Sequence, residues 1–115
     1  MMLGGSVKAY VCSEPVDMRK SIDGLAQLVA PLLKADALSG SVFVFLSRRR
    51  EKVKLLWWDR HGFWLAYKRL ERGRFPEASL LASRGLSVAE LTLWLEGVDL
   101  SRTRRLATVN VTRIA

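Results

Sequence analysis

Residues 42–70 read VFVFLSRRREKVKLLWWDRHGFWLAYKRL, and this stretch contains the strongest strand signals of the chain. The run 42–46 is β-branched and aromatic, which is typical of a buried strand. Residues 52–58 begin by alternating charged and apolar side chains, so they predict a second strand joined to the first by a short basic connection. A turn at 59–62, which ends in glycine, leads into a third strand over 63–70. The stretch therefore predicts an antiparallel meander.

Alternation along the third strand predicts which side chains share a face of the sheet. One face should carry Phe63, Leu65 and Tyr67, and the other Trp64, Ala66 and Lys68. Trp57 and Trp94 are expected in the core, whereas Trp58 or Trp64 could stack on nucleic-acid bases if exposed.

A strand and a helix are predicted before the meander. Residues 7–12 alternate weakly and favour a first strand. Apolar residues recur at helical spacing through the segment near 18–34 and favour a helix. Asp17 is its expected N-cap, and Pro31 should kink or end it near its last turn.

The segment Ser87-Val88-Ala89-Glu90 matches a capping box and predicts a second helix near 88–96, with Gly97 just beyond its end. Residues 75–86 and 100–115 give weak signals. The tail either forms a short strand over 109–111 or is disordered.

The predicted fold is α+β, a mainly antiparallel sheet with a central β-meander packed by two helices. A chain of 115 residues, half of them hydrophobic, fits one domain over 1–115 with its core at about 7–99. Its apolar runs are too short for a membrane span, and charges interrupt the N-terminal thirty residues, so no membrane partner is expected. One cysteine, Cys12, excludes an internal disulfide and fits the cytoplasm.

Catalytic signals are sparse. The single histidine, His61, lies in a turn, with Ser47 as the nearest hydroxyl in the meander, and no nucleophile motif surrounds either. The acids are scattered singly, and Cys12 at a strand end is typical of a small core residue. We therefore expect no enzymatic activity, no metal and no cofactor.

The positive charge is concentrated in one part of the chain. Residues 48–74 carry ten Lys/Arg and three Asp/Glu, a net charge of +7 out of +8 for the whole chain. Clustered arginines attract polyanions, and a two-stranded β-ribbon fits the DNA major groove. The alternative is that these charges protect sheet edges and keep the chain soluble. The candidate nucleic-acid-binding residues are Arg48, Arg49, Arg50, Lys52, Lys54, Lys68, Arg69, Arg72 and Arg74.

Short motifs also occur in a distinctive order: DMRK at 17–20, DGL at 23–25, VFVF at 42–45, KLLWWD at 54–59, GFWL at 62–65, KRLERGRF at 68–75 and LEGVD at 95–99. Over roughly residues 7–99 this order resembles the small TnpB-type accessory proteins encoded by the second open reading frame of IS66-type bacterial insertion sequences. These are distinct from the RNA-guided nuclease of the same name. The motif residues singled out are Asp17, Met18, Arg19, Lys20, Asp23, Gly24, Trp57, Trp58 and Asp59.

The resemblance implies a role in DNA transposition beside a separate, larger transposase that carries the strand-transfer chemistry, and it supplies no catalytic residues. The leading hypothesis is a non-catalytic accessory protein that binds DNA through the basic hairpin and residues 68–74. The alternative is a protein–protein adaptor that recruits or regulates the element-encoded transposase, its basic patch meeting an acidic surface. A weaker third option is binding to the element's RNA. The oligomeric state is not predicted.

Overall fold

The computed structural model describes residues 6–77 and 84–98, which form one five-stranded sheet and two helices. In chain order the elements are β1 (Lys8–Val11), α1 (Ile22–Leu33), β2 (Val42–Leu46), β3 (Lys52–Trp58), β4 (Phe63–Arg69), β5 (Leu86–Ser87) and α2 (Val88–Leu95). The strand order is β4-β3-β2-β1-β5, and all neighbours pair antiparallel except β1 and β2. The predicted α+β fold with a mainly antiparallel sheet is confirmed.

The parallel pair explains why α1 stands between its two strands. Ala9 is paired with Val42 and Val11 with Val44, so β1 and β2 run in the same direction. Parallel neighbours need a crossover that returns the chain to the starting end of the sheet, and a helix is the usual form. Helix α1 makes this return and packs on the sheet as it does so.

One face of the sheet is covered by α1. Its Leu25 and Val29 are buried against Phe43 and Phe45 of β2 and Leu56 of β3. Cys12 and Val16 complete this cluster, so the expectation that Cys12 is a core residue is confirmed. Burial raises the pKa of the Cys12 thiol.

The opposite face is covered by α2. Leu91 and Trp94 pack on a row of aliphatic side chains from all four longer strands, together with Trp57 and Phe75. Trp57 and Trp94 are both buried, as predicted. Side chains of β4 divide between the two faces as expected: Phe63 and Leu65 join the α1 face, and Ala66 joins the α2 face.

The start of α1 differs from the prediction. Ser21, not Asp17, occupies the N-cap position, with an extended backbone and no side-chain cap. The Asp17 carboxylate instead accepts hydrogen bonds from Arg19, which fixes a separate turn before the helix. The helix ends at Leu33, two residues after Pro31, in agreement with the prediction that Pro31 kinks or ends it near its last turn.

Two features gave only weak sequence signals. Strand β5 consists of Leu86 and Ser87, which pair antiparallel with β1. Phe75 lies in the weakly patterned segment after the meander, yet it is fully buried and its ring stacks on Trp94 with centroids 5.4 Å apart. Both depend on partners distant in sequence. The alternatives predicted for 100–115 lie outside the described residues.

The predicted start of α2 is confirmed in detail. Ser87 Oγ accepts the Glu90 N–H at 3.1 Å, and the Glu90 carboxylate accepts the Ser87 N–H at 3.1 Å. The chain leaves the helix through Gly97 with φ at +98°, a backbone conformation that glycine adopts without strain. Within 6–77 and 84–98, neither helix is long and apolar enough to cross a membrane.

Ser87→Ala should lower the free energy of unfolding by about 1 kcal/mol, because it leaves the Glu90 N–H without its acceptor. Urea denaturation measures the change. Ser87→Thr keeps a hydroxyl acceptor and should lose less than half as much. Equal losses in the two variants would show that the capping hydrogen bond is not the cause.

Candidate nucleic-acid interface

Three loops meet at one end of the sheet, which we call the cationic end. The DMRK loop (residues 17–20) follows β1, the hairpin tip (residues 47–51) joins β2 to β3, and the arginine loop (residues 70–75) follows β4. β1 and β2 are parallel and β4 is antiparallel to β3, so all three loops lie at the same end. The residues just before the first two loops are joined, because the Val16 N–H donates to the Leu46 carbonyl at 2.9 Å.

The hairpin tip is a compact turn built around Ser47. The Ser47 N–H donates to the Lys52 carbonyl at 3.0 Å, and the Ser47 hydroxyl accepts the Lys52 N–H at 3.1 Å. The Arg50 N–H closes the turn on the Ser47 carbonyl at 2.9 Å, and Arg50 takes a left-handed backbone with φ at +57°. Arg48 and Arg49 are left exposed at the apex of the turn.

Two backbone hydrogen bonds join the arginine loop to the hairpin tip. The Leu70 N–H donates to the Glu51 carbonyl at 2.8 Å, and the Phe75 N–H donates to the Arg50 carbonyl at 2.7 Å. Between these points the chain turns at Gly73, where φ is +73°, a conformation that most side chains would strain. Burial of Phe75 anchors the end of the loop in the core. Exposed Arg72 and Arg74 are therefore held beside the hairpin tip.

Lys54 fixes the DMRK loop to the sheet through hydrogen bonds to the loop backbone. Its side chain is only 6% exposed, and its ammonium donates to the Met18 carbonyl at 2.9 Å and the Lys20 carbonyl at 2.7 Å. The same ammonium lies 4.8 Å from the centre of the Tyr67 ring, a cation–π contact. The expectation that Lys54 projects with Lys52 as a phosphate-binding cation is therefore wrong: α1 and the loop cover this face of β3.

Arg19 and Asp17 form an ion pair at the surface of the DMRK loop. The guanidinium donates to both carboxylate oxygens at 2.7–3.1 Å, and the Arg19 N–H donates to Oδ1 at 2.9 Å. These hydrogen bonds from Arg19 lower the pKa of Asp17 to about 2. The Arg19 side chain remains 91% exposed, but its charge is locally balanced.

Two further motif residues, Asp23 and Gly24, stabilise the start of α1. Asp23 lies in the first turn of α1, where a negative charge favours the helix N-terminus. Gly24 sits so close to Lys20 that a Cβ would lie 3.3 Å from the lysine Cβ. This close approach lets the helix pack beside the loop that precedes it.

The Trp57-Trp58-Asp59 motif lies at the opposite end of the sheet. Asp59 Oδ1 accepts the N–H groups of His61 and Gly62, and Oδ2 accepts Trp64 Nε1 at 2.8 Å. These hydrogen bonds, led by the one from the His61 N–H, lower the pKa of Asp59. Asp59 thus fixes the β3–β4 turn.

Trp58 and Trp64, whose exposure the sequence did not predict, differ in how far they are accessible to solvent. Trp64 is 56% exposed, and one side of its ring is stacked on Trp57 at 6.0 Å. Trp58 is half-buried and meets Phe63 edge-on at 5.0 Å. Trp64 is therefore accessible, but it lies at the end of β4 away from the hairpin tip.

Some of the predicted nucleic-acid-binding cations already have partners within the protein, and others are free to bind a ligand. Lys68 donates to the Leu95 carbonyl at 3.1 Å, Arg69 is paired with Glu71 at 2.9 Å, and Arg50 approaches Glu77 at 3.9 Å. Glu71 raises the pKa of Arg69. Five cations of the cationic end have side chains with no hydrogen bond or ion pair to any described residue: Arg48, Arg49, Lys52, Arg72 and Arg74.

A cleft of about 400 Å³ separates the DMRK loop from the hairpin tip. Its lining combines Arg48, Arg49 and Lys52 with two carboxylates, Asp17 and Glu51. Ser47, which also lines it, lies at the opposite end of β3 from His61, so the structure does not bring these two residues together. Within the described ranges no cluster of three metal-ligating side chains occurs.

Together these features define a small α+β protein in which two joined loops present, at one end of a sheet, cations that have no partner among the described residues. Its sequence matches the family model described as IS66 Orf2 like protein over residues 7–105, and the chain belongs to that family. Membership supports a role as an accessory protein of an insertion sequence in transposition.

Two relatives from Sinorhizobium fredii (strain NBRC 101917 / NGR234) extend over most of the chain. Uncharacterized protein y4jC is 32% identical over 117 residues, covering 99% of this chain and all of the relative. Uncharacterized protein y4hO is 36% identical over 97 residues, covering 84% of each. No solved structure matches the chain.

Lys54→Met should lower the free energy of unfolding by about 2 to 3 kcal/mol, because the Met18 and Lys20 carbonyls lose a charged donor. Lys52→Met is the matched control: it lies on the same strand, its ammonium has no partner among the described residues, and it should change stability by less than about 0.5 kcal/mol. Urea denaturation compares the two. Equal effects would mean that the ammonium does not hold the loop.

The low pKa of Asp17 predicts how the DMRK loop responds to acid. Since the folded-state pKa is about 2, below the ordinary 3.8, the interaction with Arg19 stabilises the fold above pH 3.8 and is lost as the pH falls through about 2. In Arg19→Gln the pKa of Asp17, measured by carboxyl NMR, should rise from about 2 toward the ordinary 3.8 but stay below it, because the backbone N–H of residue 19 still donates to Oδ1. Arg60→Gln, at the other end of the sheet, should leave it at about 2. A midpoint unchanged by Arg19→Gln would contradict this origin.

Proposed function

We propose that this protein is a non-catalytic accessory factor of transposition that binds DNA backbone through the cationic end. The observation that carries the proposal is the joining of the hairpin tip to the arginine loop by two backbone hydrogen bonds. This junction presents Arg48, Arg49, Arg72 and Arg74 from adjacent loops, and none has an anionic partner among the described residues.

The chemistry of these side chains favours phosphate as their ligand. A guanidinium offers a planar fork of donors that matches two phosphate oxygens, and exposed arginines on short fixed turns reach a curved polyanion without distorting the fold. The loops themselves are held rigidly by Ser47, Gly73 and buried Phe75. Little conformational entropy of the backbone is then lost on binding.

The contacts of the cationic end favour affinity for nucleic acid without base-specific reading. The free groups are cations, whereas the exposed aromatic ring that could stack on a base, Trp64, lies at the other end of the sheet. Phosphate contacts position a protein on DNA but carry no sequence information. We therefore assign sequence choice to the larger transposase, with which this protein would act.

A salt titration of binding to a labelled DNA duplex tests the proposal. With five free cations, the slope of log K against log salt should be about −4.5. Arg48→Gln combined with Arg72→Gln should reduce it to about −2.7, since two phosphate contacts are lost. No binding at low salt, or a slope near zero, would overturn DNA binding.

A matched control shows whether DNA binding depends on the cationic end or only on the net charge of the chain. Lys34→Gln combined with Arg60→Gln removes the same two charges at the opposite end of the sheet and should leave the slope near −4.5. Co-purification with the element's transposase, with and without nuclease, tests the adaptor role. A complex that survives nuclease and is lost in the Arg48/Arg72 double variant would favour the adaptor over DNA binding.

A further inference from the structure

Strand β4 forms a long edge of the sheet. It spans seven residues, and no strand within the described ranges pairs with its outer side. The strand at the other edge, β5, has only two residues. An unpaired strand offers a row of backbone donors and acceptors that another strand can bind.

The hydrogen-bond pattern identifies which groups of β4 point outward. The Asp59 N–H donates to the Gly62 carbonyl, and the Leu70 N–H donates to the Glu51 carbonyl. Because these antiparallel pairs alternate, even-numbered residues of β4 direct their backbone groups toward β3. The outward groups are those of Phe63, Leu65, Tyr67 and Arg69.

The side chains of this edge are unusually apolar for a strand facing solvent. Large hydrophobic side chains that are mostly exposed, among the described residues, are Leu38, Trp64 and Tyr67, and two of these lie on β4. Trp64 is 56% exposed on the α2 face and Tyr67 is 54% exposed on the α1 face. Both faces of the edge therefore carry an aromatic ring.

We propose that a second copy of this chain pairs antiparallel with β4, with Ala66 meeting its equivalent on a two-fold axis. In this register the outward backbone groups of Phe63 face those of Arg69 in the other copy, and Leu65 faces Tyr67. The full strand is used, and every outward N–H meets an outward carbonyl. Such self-complementary pairing of one surface is the usual way in which a two-fold dimer forms.

The distribution of charge along β4 favours this register. Aromatic rings lie at its beginning and the cations Lys68 and Arg69 at its end. Parallel, in-register pairing would place like charges opposite each other, which destabilises a sheet. Antiparallel pairing about Ala66 instead places Lys68 across from Trp64, so that its ammonium, which within one chain donates to the Leu95 carbonyl, gains a cation–π partner in the other copy. The indole is already oriented by its hydrogen bond to Asp59.

Disulfide trapping tests the register directly, in a Cys12→Ala background. Ala66 pairs with itself at a position without hydrogen bonds, where Cα atoms are about 4.5 Å apart, a separation that permits a disulfide. Ala66→Cys should therefore cross-link to a covalent dimer on mild oxidation. Trp64→Cys and Lys68→Cys should each form no covalent dimer alone, while an equimolar mixture of the two should cross-link.

Cross-linking of Ala66→Cys no faster than Lys68→Cys, or no gain on mixing the other two variants, would overturn the proposed pairing. Sedimentation velocity of the native chain gives an independent measure. A species of twice 13.0 kDa should appear as the concentration rises from about 5 to 200 µM, as expected for a small interface. A chain that stays monomeric throughout would also overturn it.

A proline variant separates edge pairing from misfolding. Tyr67→Pro removes an outward N–H and leaves the hydrogen bonds between β3 and β4 in place, and it also removes the ring that contacts the Lys54 ammonium, a loss that Tyr67→Val shares. It should weaken dimerisation at least tenfold, whereas Tyr67→Val, which keeps the N–H, should weaken it less. Circular dichroism checks that both variants fold. Equal dimerisation of Tyr67→Pro and Tyr67→Val would count against backbone pairing at this edge.

Discussion

The burial of β2 on both faces constrains the rest of the molecule. All five of its residues are buried, because α1 packs on one side and α2 on the other. A strand covered twice leaves no exposed face for charged side chains, since an unpaired charge in the core is costly. Apart from Lys54, the cations of the meander lie at strand ends, in turns or on the outer strand. The cationic end follows from this constraint on the sheet.

Lys54 shows how one charge is accommodated inside that arrangement. It lies on the covered face of β3 between two aromatic residues, Phe45 of β2 and Tyr67 of β4, and it has no carboxylate partner among its contacts. Two carbonyls and the face of Tyr67 solvate the ammonium instead. The ammonium fixes the DMRK loop because it donates to the Met18 and Lys20 carbonyls, which belong to no regular secondary structure and would otherwise need water as a donor. This role explains why a lysine can occupy this position.

Sequence reasoning reached the elements whose signals are local. The alternation along β4, the capping box at Ser87 and the core placement of Trp57 and Trp94 all depend on near neighbours or simple periodicity. It failed for Lys54, since alternation tells which side chains share a face but not what covers that face. Asp17 was wrongly predicted to be the N-cap of α1, because an aspartate carboxylate can either cap a helix or accept hydrogen bonds within a turn. In the structure it accepts hydrogen bonds from Arg19 in a turn before the helix. Strand β5 is too short to show a period, and its partner β1 lies far along the chain.

The two edges of the sheet differ in a way that limits how copies could assemble. On one side β5 ends at Ser87, and that residue is already the N-cap of α2, so the strand cannot lengthen at its C-terminal end without unwinding the helix. Of the two described edges, β4 therefore offers the longer row of backbone groups for extension of the sheet. A two-fold contact through β4 would bury the β4 edge of both copies. Neither copy could then pair with a third through that edge, so assembly would stop at two copies. The helix cap thus favours a closed assembly over an open fibre.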